Sequence, residues 1–319
     1  MHYVGLLAIF VALYFVCAEL ERACSAIAHR YRIPESIAGA TLLAVSSSSP
    51  EFFTAFLGAV FFGSFEIGLM AILWSAIFNI TVIPGLSAVV APGPLKVYPT
   101  VLLRDSVAYL AVALLLIALM GDGMLTRNDA LVLLGAYFLY VYVLFLMLGA
   151  GEEVEPLVLP NWRVAAGLLG GIAAVGVLCH YMVEFGLAIA ASWAIPVGLI
   201  SALVFAPGTS VPDLLLSLIA ARKGAGSASI SNAFGSNSFD LTVCLAAPIL
   251  VVGDVSFEFS GRALYSVWML IGTVVLSMLF VRTGYELTRR EGWVLLALFV
   301  VLAAAICVLP ESAGHLQAE

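Results

Sequence analysis

Charge is what this 319-residue chain has least of: only 10% of its positions are Asp, Glu, Lys or Arg, where soluble globular domains carry roughly a quarter. With 63% apolar residues and a mean hydropathy of +1.13, that shortage excludes an ordinary water-soluble domain. Basic residues are scarcer than acidic ones, 13 against 20, giving a net charge of −7. No basic face is therefore available for nucleic acid. The five cysteines, Cys17, Cys24, Cys179, Cys244 and Cys307, sit in or beside apolar runs, and none is spaced C-x-x-C. That pattern argues against a disulfide framework or a cysteine zinc site.

Long apolar runs are present instead. A spanning helix needs about 20 mostly apolar residues, and ten such segments begin near Tyr3, Ser36, Glu66, Thr100, Asn128, Trp162, Ile195, Ser227, Ala263 and Gly292. The expected class is an all-α membrane protein with the lipid bilayer as its surroundings. The first segment lacks a basic leader and an A-x-A-like cleavage site, so it reads as a mature helix and not as a secretory signal. Basic residues accumulate in cytoplasmic loops. Placing the N-terminus outside puts Arg22, Arg30, Arg32, Lys96, Arg104, Arg163, Arg222, Lys223, Arg282, Arg289 and Arg290 inside, and leaves only Arg127 and Arg262 outside. Both termini are thus expected outside the cytoplasm, in the plasma membrane. The acidic linker of residues 150–161, with Glu152, Glu153 and Glu155, is then cytoplasmic and reads as a solvated loop.

The chain matches itself at a shift of 162 positions: Ile33-Pro34 falls on Ile195-Pro196, Ala40 on Ala202, Ala44 on Ala206, Ser48 on Ser210, Pro50 on Pro212, and Glu51 on Asp213. At a shift of 161, Ser75 falls on Ser236, Phe78 on Phe239, Asn79 on Asp240, Thr81 on Thr242 and Val82 on Val243. A unit of five spans is odd, so the second copy must cross the membrane in the opposite sense. The expected architecture is two inverted five-helix repeats, residues 1–149 and 162–319, as in many secondary transporters.

In each copy the second helix is interrupted, at Ser46-Ser47-Ser48-Ser49-Pro50-Glu51 and at Pro207-Gly208-Thr209-Ser210-Val211-Pro212-Asp213. Proline donates no N–H, so carbonyls from Ala44 to Ser47 and from Ala206 to Thr209 are expected to lose helical partners. At membrane depth such carbonyls need a protein group, water or a cation. Pro50 and Pro212 suit the first turn of the restarted helix, where Glu51 and Asp213 face the positive end of its dipole. Carbonyls, hydroxyls and carboxylates together make a hard-cation site. Ser75 with Asn79, and Ser236 with Asp240, are four apart on one face of the third helix. The second and third helices of each copy, both broken, are expected to gather Glu51, Asp213, Asn79 and Asp240 at a midplane cation site. Carboxylates at that depth are too costly to serve as packing, whereas the hydroxyls could equally be glue between helices.

At these residues the sequence resembles the calcium/cation antiporter superfamily, whose repeats carry a G-[ST]-S-x-P-[ED] break followed by a G-S-x-x-x-[ND] helix. The second copy, GTSVPDLLLSLIAARKG with GSNSFD, matches fully; the first, SSSSPEFF with WSAIFN, is looser. The acids of PD and FD, with the LLRDS and GAYFLYV stretches, are most similar to the potassium-dependent sodium/calcium exchanger branch. The resemblance implies a secondary antiporter exchanging Ca²⁺ for Na⁺ by alternating access, with K⁺ co-transport, no cofactor and no obligatory protein partner. It implies Ca²⁺ ligands at Glu51 and Asp213 with carbonyls of Ser47 and Thr209. Na⁺ ligands would come from Ala44, Ser47, Ser48, Glu51, Ser75 and Asn79 on one side, and from Ala206, Thr209, Ser210, Asp213 and Ser236 on the other. Asp213 and Asp240 correspond to the acids of a K⁺ or proton site. Two positions depart from the family: Ser46 replaces a glycine at the first break, and Trp74 replaces the glycine before Ser75. A tryptophan there reads first as a lipid-facing filler and second as a plug in one access path.

Three other readings compete. A Ca²⁺/H⁺ antiporter of the same superfamily would use the same carboxylates, releasing Ca²⁺ by protonation. A passive cation channel would use similar oxygens, but broken helices in an inverted repeat favour alternating access. An intramembrane protease needs G-x-S-G with a histidine base, or Y-D with G-x-G-D, and none of these occurs. Of the histidines, His2, His29 and His315 lie near ends of the chain or of helices. His180, four residues before Glu184, is either half of a proton-sensitive pair or an interhelical contact.

Overall fold

The computed structural model describes residues 2–33, 38–146, 159–257 and 261–309. Glu152, Glu153 and Glu155 of the acidic linker lie outside these, as do Pro34, Ser36 and His315. Among the described residues, eight helices are long and apolar enough to cross a membrane, or nine if one bent pair counts as a span.

The first half runs through α1 (His2–Arg30), a π-helical turn at Gly39–Leu43, α2 (Ala44–Ser47), α3 (Ser49–Val60), α4 (Phe65–Val90), α5 (Pro99–Met120) and α6 (Arg127–Leu146). The second half runs through α7 (Asn161–Trp193), α8 (Val197–Ile200), a π-helical turn at Ser201–Phe205, α9 (Ala206–Thr209), α10 (Val211–Arg222) and α11 (Gly226–Phe239). It continues with a π-helical turn at Asp240–Cys244, α12 (Leu245–Val252), α13 (Gly261–Arg282) and α14 (Arg289–Val308). A π-helical turn thus precedes the break in both halves.

α4 is apolar all round, and the helix test of such a pattern is full burial; its spanning window is 100% buried. It packs against α3, α10, α11, α13 and α14 and forms the axis of the molecule. At its crossing with α14 the backbones touch, because a Cβ on Gly85 would stand 2.9 Å from the Gly292 carbonyl oxygen. Outer helices leave apolar side chains such as Phe138, Leu139, Trp268, Trp293 and Val301 exposed, as lipid-facing surfaces do. α1 and α7 lie along each other as a long pair. They meet closely where a Cβ on Gly167 would stand 2.9 Å from that of Ala23.

The third helices correct the expectation of a break in each copy. α4 is continuous despite Pro84. The proline leaves the Ile80 carbonyl without its usual N–H donor, and Ser277 Oγ of α13 donates to that oxygen at 2.9 Å. Its counterpart, α11 and α12, carries the π-helical turn at Asp240–Cys244 and still forms one 27-residue span, Gly226–Val252.

Two short ribbons tie the halves together. β1 (Leu95–Lys96) pairs antiparallel with β4 (Glu286–Leu287), and β2 (Met124–Leu125) pairs antiparallel with β3 (Val255–Ser256). Leu95 stands opposite Leu287, and Leu125 opposite Val255.

Candidate cation site

The breaks are narrower than the prolines alone suggest. Each is a single residue, Ser48 at φ −90°, ψ 8° and Ser210 at φ −80°, ψ 2°. The Ala44 and Ala206 carbonyls keep helical partners, accepting from Ser48 N (2.9 Å) and Ser210 N (3.2 Å). The expected loss of partners therefore fails at these two positions, because one non-helical residue does not unwind a whole turn. Where Pro50 removes the donor for the Ser46 carbonyl, Ser49 Oγ supplies one at 2.9 Å. α9 and α10 meet at a bend measured as 43° over the pair Val197–Thr209 and Val211–Arg222.

Each restarted helix has proline and an acid in its first turn, Glu51 in α3 and Asp213 in α10. Both are 1% exposed. Glu51 is held from both halves: Ser75 Oγ donates to its Oε1 at 3.3 Å and Ser210 Oγ at 3.1 Å, with the two hydroxyls 2.7 Å apart. Its Oε2 has no hydrogen-bond partner. Asp213 is faced by Ser47, Ser236, Asn232 and Asn79, but neither of its carboxylate oxygens has a hydrogen-bond partner. Thr209 also faces Glu51, and Thr209 Oγ1 donates to the Ala206 carbonyl at 3.1 Å. A buried carboxylate oxygen without a donor is expensive; three such oxygens beside hydroxyls form a negative, oxygen-lined pocket suited to a hard cation.

Asp240 is fully buried in the π-helical turn. The Cys244 thiol lies 3.7 Å from its Oδ1, and its Oδ2 is without a partner. It is within electrostatic reach of Glu51 and Asp213. Among the described residues, however, no three His, Cys, Asp or Glu side chains are placed to share one metal ion. The expected gathering of acids is therefore a neighbourhood and not a single three-acid cage. Ser48 faces Asp240, and the Ser48 and Ser238 hydroxyls are buried without partners. Asn79 does not reach an acid by a hydrogen bond. Its Nδ2 donates to Asn237 Oδ1 (3.0 Å) and to Ser236 Oγ (3.5 Å), bridging the halves.

Asn232 and Asn237 belong to this polar cluster and were not anticipated. Asn232 Nδ2 donates to the Asp213 carbonyl (3.2 Å) and to Ser217 Oγ (3.0 Å), and Asn237 Nδ2 donates to the Ala76 carbonyl (3.3 Å). The self-match passes over them because their counterparts are Ala71 and Ala76. The one available signal was that Asn232 lies four residues before Ser236, on the same helical face.

A cavity of about 1040 Å³ runs from Lys96, Arg104, Gly224 and Tyr285 inward to Ala44, Ser47, Asn232 and Ser236. The site is thus reached from the side on which Lys96 lies.

Trp74 corrects the lipid-facing reading. It is fully buried, its Nε1 donates to Ser266 Oγ at 2.9 Å, and its ring meets Phe299 edge-on at 6.2 Å. His180 is an interhelical contact, its ring packed on Phe62 at 5.3 Å and Phe61 at 6.3 Å, while Glu184 is exposed.

A multi-span membrane protein with paired buried carboxylates on interrupted helices is a transporter of cations in its architecture. The chain belongs to the sodium/calcium exchanger protein family, matching it over residues 1–146 and again over 163–308. The Escherichia coli (strain K12) inner membrane protein YrbG is 26% identical over 315 residues, covering 93% of this chain and 95% of that protein. Sodium/potassium/calcium exchanger 1 of Mus musculus is 36% identical over 145 residues, which is 45% of this chain but 13% of that much longer protein. Among solved structures, the sodium-calcium exchanger NCX_Mj soaked with 2.5 mM Na⁺ and 0.1 mM Sr²⁺ superposes with a TM-score of 0.69 at 26% identity, covering 96% of this chain and 99% of that one.

Proposed function

We propose that this protein is a secondary antiporter that exchanges Ca²⁺ for Na⁺ across the plasma membrane, with both termini outside. The observation that carries the reading is the pair of buried acids, Glu51 and Asp213, each in the first turn of a restarted helix, with three of their four carboxylate oxygens unpartnered. Ca²⁺ would bind between Glu51 and Asp213 with carbonyls of Ser47 and Thr209. Na⁺ would draw on Ala44, Ser47, Ser48, Ser75 and Asn79, and on Ala206, Thr209, Ser210 and Ser236. The two ions then share the same acids, and binding of one displaces the other.

The halves act as inverted repeats, each with five spans. Two features support this. The 161-position shift carries β1 to within one residue of β3 and β2 to within one residue of β4, so the operation that relates the halves exchanges the two ribbons. The 162-position shift likewise carries the break at Ser48 onto the break at Ser210, with nearly the same dihedral angles. In this arrangement α1 and α7, which are unbroken and lie side by side, slide against the remainder and expose the site to each face in turn.

Asp240 is the place for a third cation. Its unpartnered Oδ2, with the Ser48 hydroxyl facing the same carboxylate, takes K⁺ in a K⁺-coupled cycle. A proton on the same oxygen is the second reading, and it leads to Ca²⁺/H⁺ exchange if the acids of the main site are protonated as well.

Ca²⁺ uptake into reconstituted vesicles, with an outward gradient of Na⁺ or of H⁺ imposed one at a time and K⁺ present or absent on the Ca²⁺ side, distinguishes these cycles. Uptake driven by Na⁺ alone or by Na⁺ with K⁺ is the expected result. Uptake driven by H⁺ and indifferent to Na⁺ would replace the Na⁺ reading with the proton one, and flux without any counter-ion would replace both with a channel.

A further inference from the structure

The two approaches to the site differ in the side chains that line them. Along α11, the cavity on the Lys96 side is bordered by Ser227, Ser231, Asn232 and Gly235. The repeat shift carries these positions to Glu66, Met70, Ala71 and Trp74 on α4. A side chain built at Gly235 would meet nothing, whereas an indole fills its counterpart. Met70 and Ala71 are 1% and 2% exposed. Beyond them, the rings of Phe65 and Phe257 lie 6.4 Å apart beside the ribbon of β2 and β3.

The anchors of the two approaches differ in the same sense. Ser266, which accepts the Trp74 N–H at 2.9 Å, is the repeat counterpart of Asp105. Asp105 accepts from Arg104 Nε at 2.7 Å and from Ser231 Oγ at 2.5 Å. One approach is therefore bordered by small and polar groups tied to a carboxylate. The other is filled by an indole hydrogen-bonded to a hydroxyl and wedged on Phe299. An aromatic side chain of this size buries 150–250 Å², so displacing it into water or a polar path is costly, while the opposite approach has no such plug to move.

We propose that Trp74 is the gate of the outer approach: it must leave Ser266 and Phe299 before Glu51 and Asp213 can be reached from outside. It thereby biases the protein toward the state open on the Lys96 side. The proposal rests on the inverted-repeat antiporter reading, and it assigns Trp74 a gating role without making it an ion ligand.

Cysteine accessibility tests it without requiring transport. In a Cys307→Ala background, Ala71→Cys reports on the outer approach and Gly235→Cys on the inner one. Both are probed with a membrane-impermeant maleimide, the first in right-side-out and the second in inside-out vesicles. Ala71→Cys should react slowly with Trp74 present and at least about tenfold faster with Trp74→Gly, as a plugged minor state becomes populated. Gly235→Cys should react in both backgrounds while the buried Cys17, Cys24, Cys179 and Cys244 stay unlabelled, which shows that the variant is folded.

Equal rates at Ala71→Cys in the two backgrounds, with Gly235→Cys reacting normally, would overturn the gate. If the glycine variant does not fold, Trp74→Phe keeps an aromatic filler and loses the donor to Ser266. Faster labelling than with tryptophan supports the gate, and an unchanged rate overturns it. A protein that labels as expected but exchanges no Ca²⁺ for Na⁺ would leave the gate standing and sink the ion assignment instead.

Discussion

Ser210 Oγ donates to Glu51 Oε1 across 3.1 Å, so a hydroxyl from the break in the second half holds the acid from the break in the first. Ser75 Oγ, 2.7 Å from Ser210 Oγ, closes the same cluster from α4. The Glu51 carboxylate thus lies on the seam between the two breaks, held at once by a hydroxyl of α4 and by one from the second half.

Glu51→Gln and Asp213→Asn should each abolish Ca²⁺ exchange in a folded protein. Both side chains are 1% exposed, and removing one charge of a buried charge assembly costs about 3–5 kcal/mol, a loss of about 100-fold or more in affinity. Na⁺-gradient-driven Ca²⁺ uptake in proteoliposomes measures it. Uptake at the parental level in either variant would place the Ca²⁺ site elsewhere.

Ser210→Ala should weaken activation by Na⁺ more than it weakens Ca²⁺ binding. It removes one neutral donor to Glu51, a net effect of about 0.5–1.5 kcal/mol, which raises the half-activating Na⁺ concentration about two- to tenfold. A Na⁺ titration of exchange at saturating Ca²⁺ reads this. A larger change in Ca²⁺ half-saturation than in Na⁺ activation would contradict the division of ligands.

Asp240→Asn should remove any dependence on K⁺. Glu51, Asp213 and Asp240 together can carry three negative charges against two on Ca²⁺, and the excess is costly in a buried site. Stimulation of Ca²⁺ flux by K⁺ on the Ca²⁺ side in the parent, lost in Asp240→Asn, is the expected pattern. A parent indifferent to K⁺ over a wide range would mean that Asp240 carries a proton.

Ala225→Cys should be labelled only from the cytoplasm and Asp122→Cys only from outside, in a Cys307→Ala background. Both positions are exposed and stand at opposite ends of the bundle in the proposed topology. The distribution of Lys and Arg among loops motivates it. The reverse labelling pattern would invert the topology and with it the direction assigned to the cavity.

The restarted helices and their acids were legible before any coordinates, because their causes are local. A proline lacks an N–H wherever it stands, and Pro50 and Pro212 begin helices with Glu51 and Asp213 in their first turns. The continuity of α4 was not legible. Pro84 calls for a break by the same local rule, but the donor that rescues the Ile80 carbonyl is Ser277, 193 residues beyond Pro84. Asn232 and Asn237 fall on alanines, Ala71 and Ala76, across the repeat, because a cluster between halves needs a polar group from only one of them.

By itself, the order of residues determined the membrane environment and the two restart points with their acids, all of which follow from composition and from the local chemistry of proline and charge. Only the tertiary structure decided which faces of those helices meet lipid and which meet each other. Trp74 is the case in point: in a bilayer both lipid and protein interior are apolar, so hydrophobicity carries no information about which of the two a tryptophan faces. The hydrogen bond to Ser266 and the contact with Phe299 resolve it, and both partners lie in the other half of the chain.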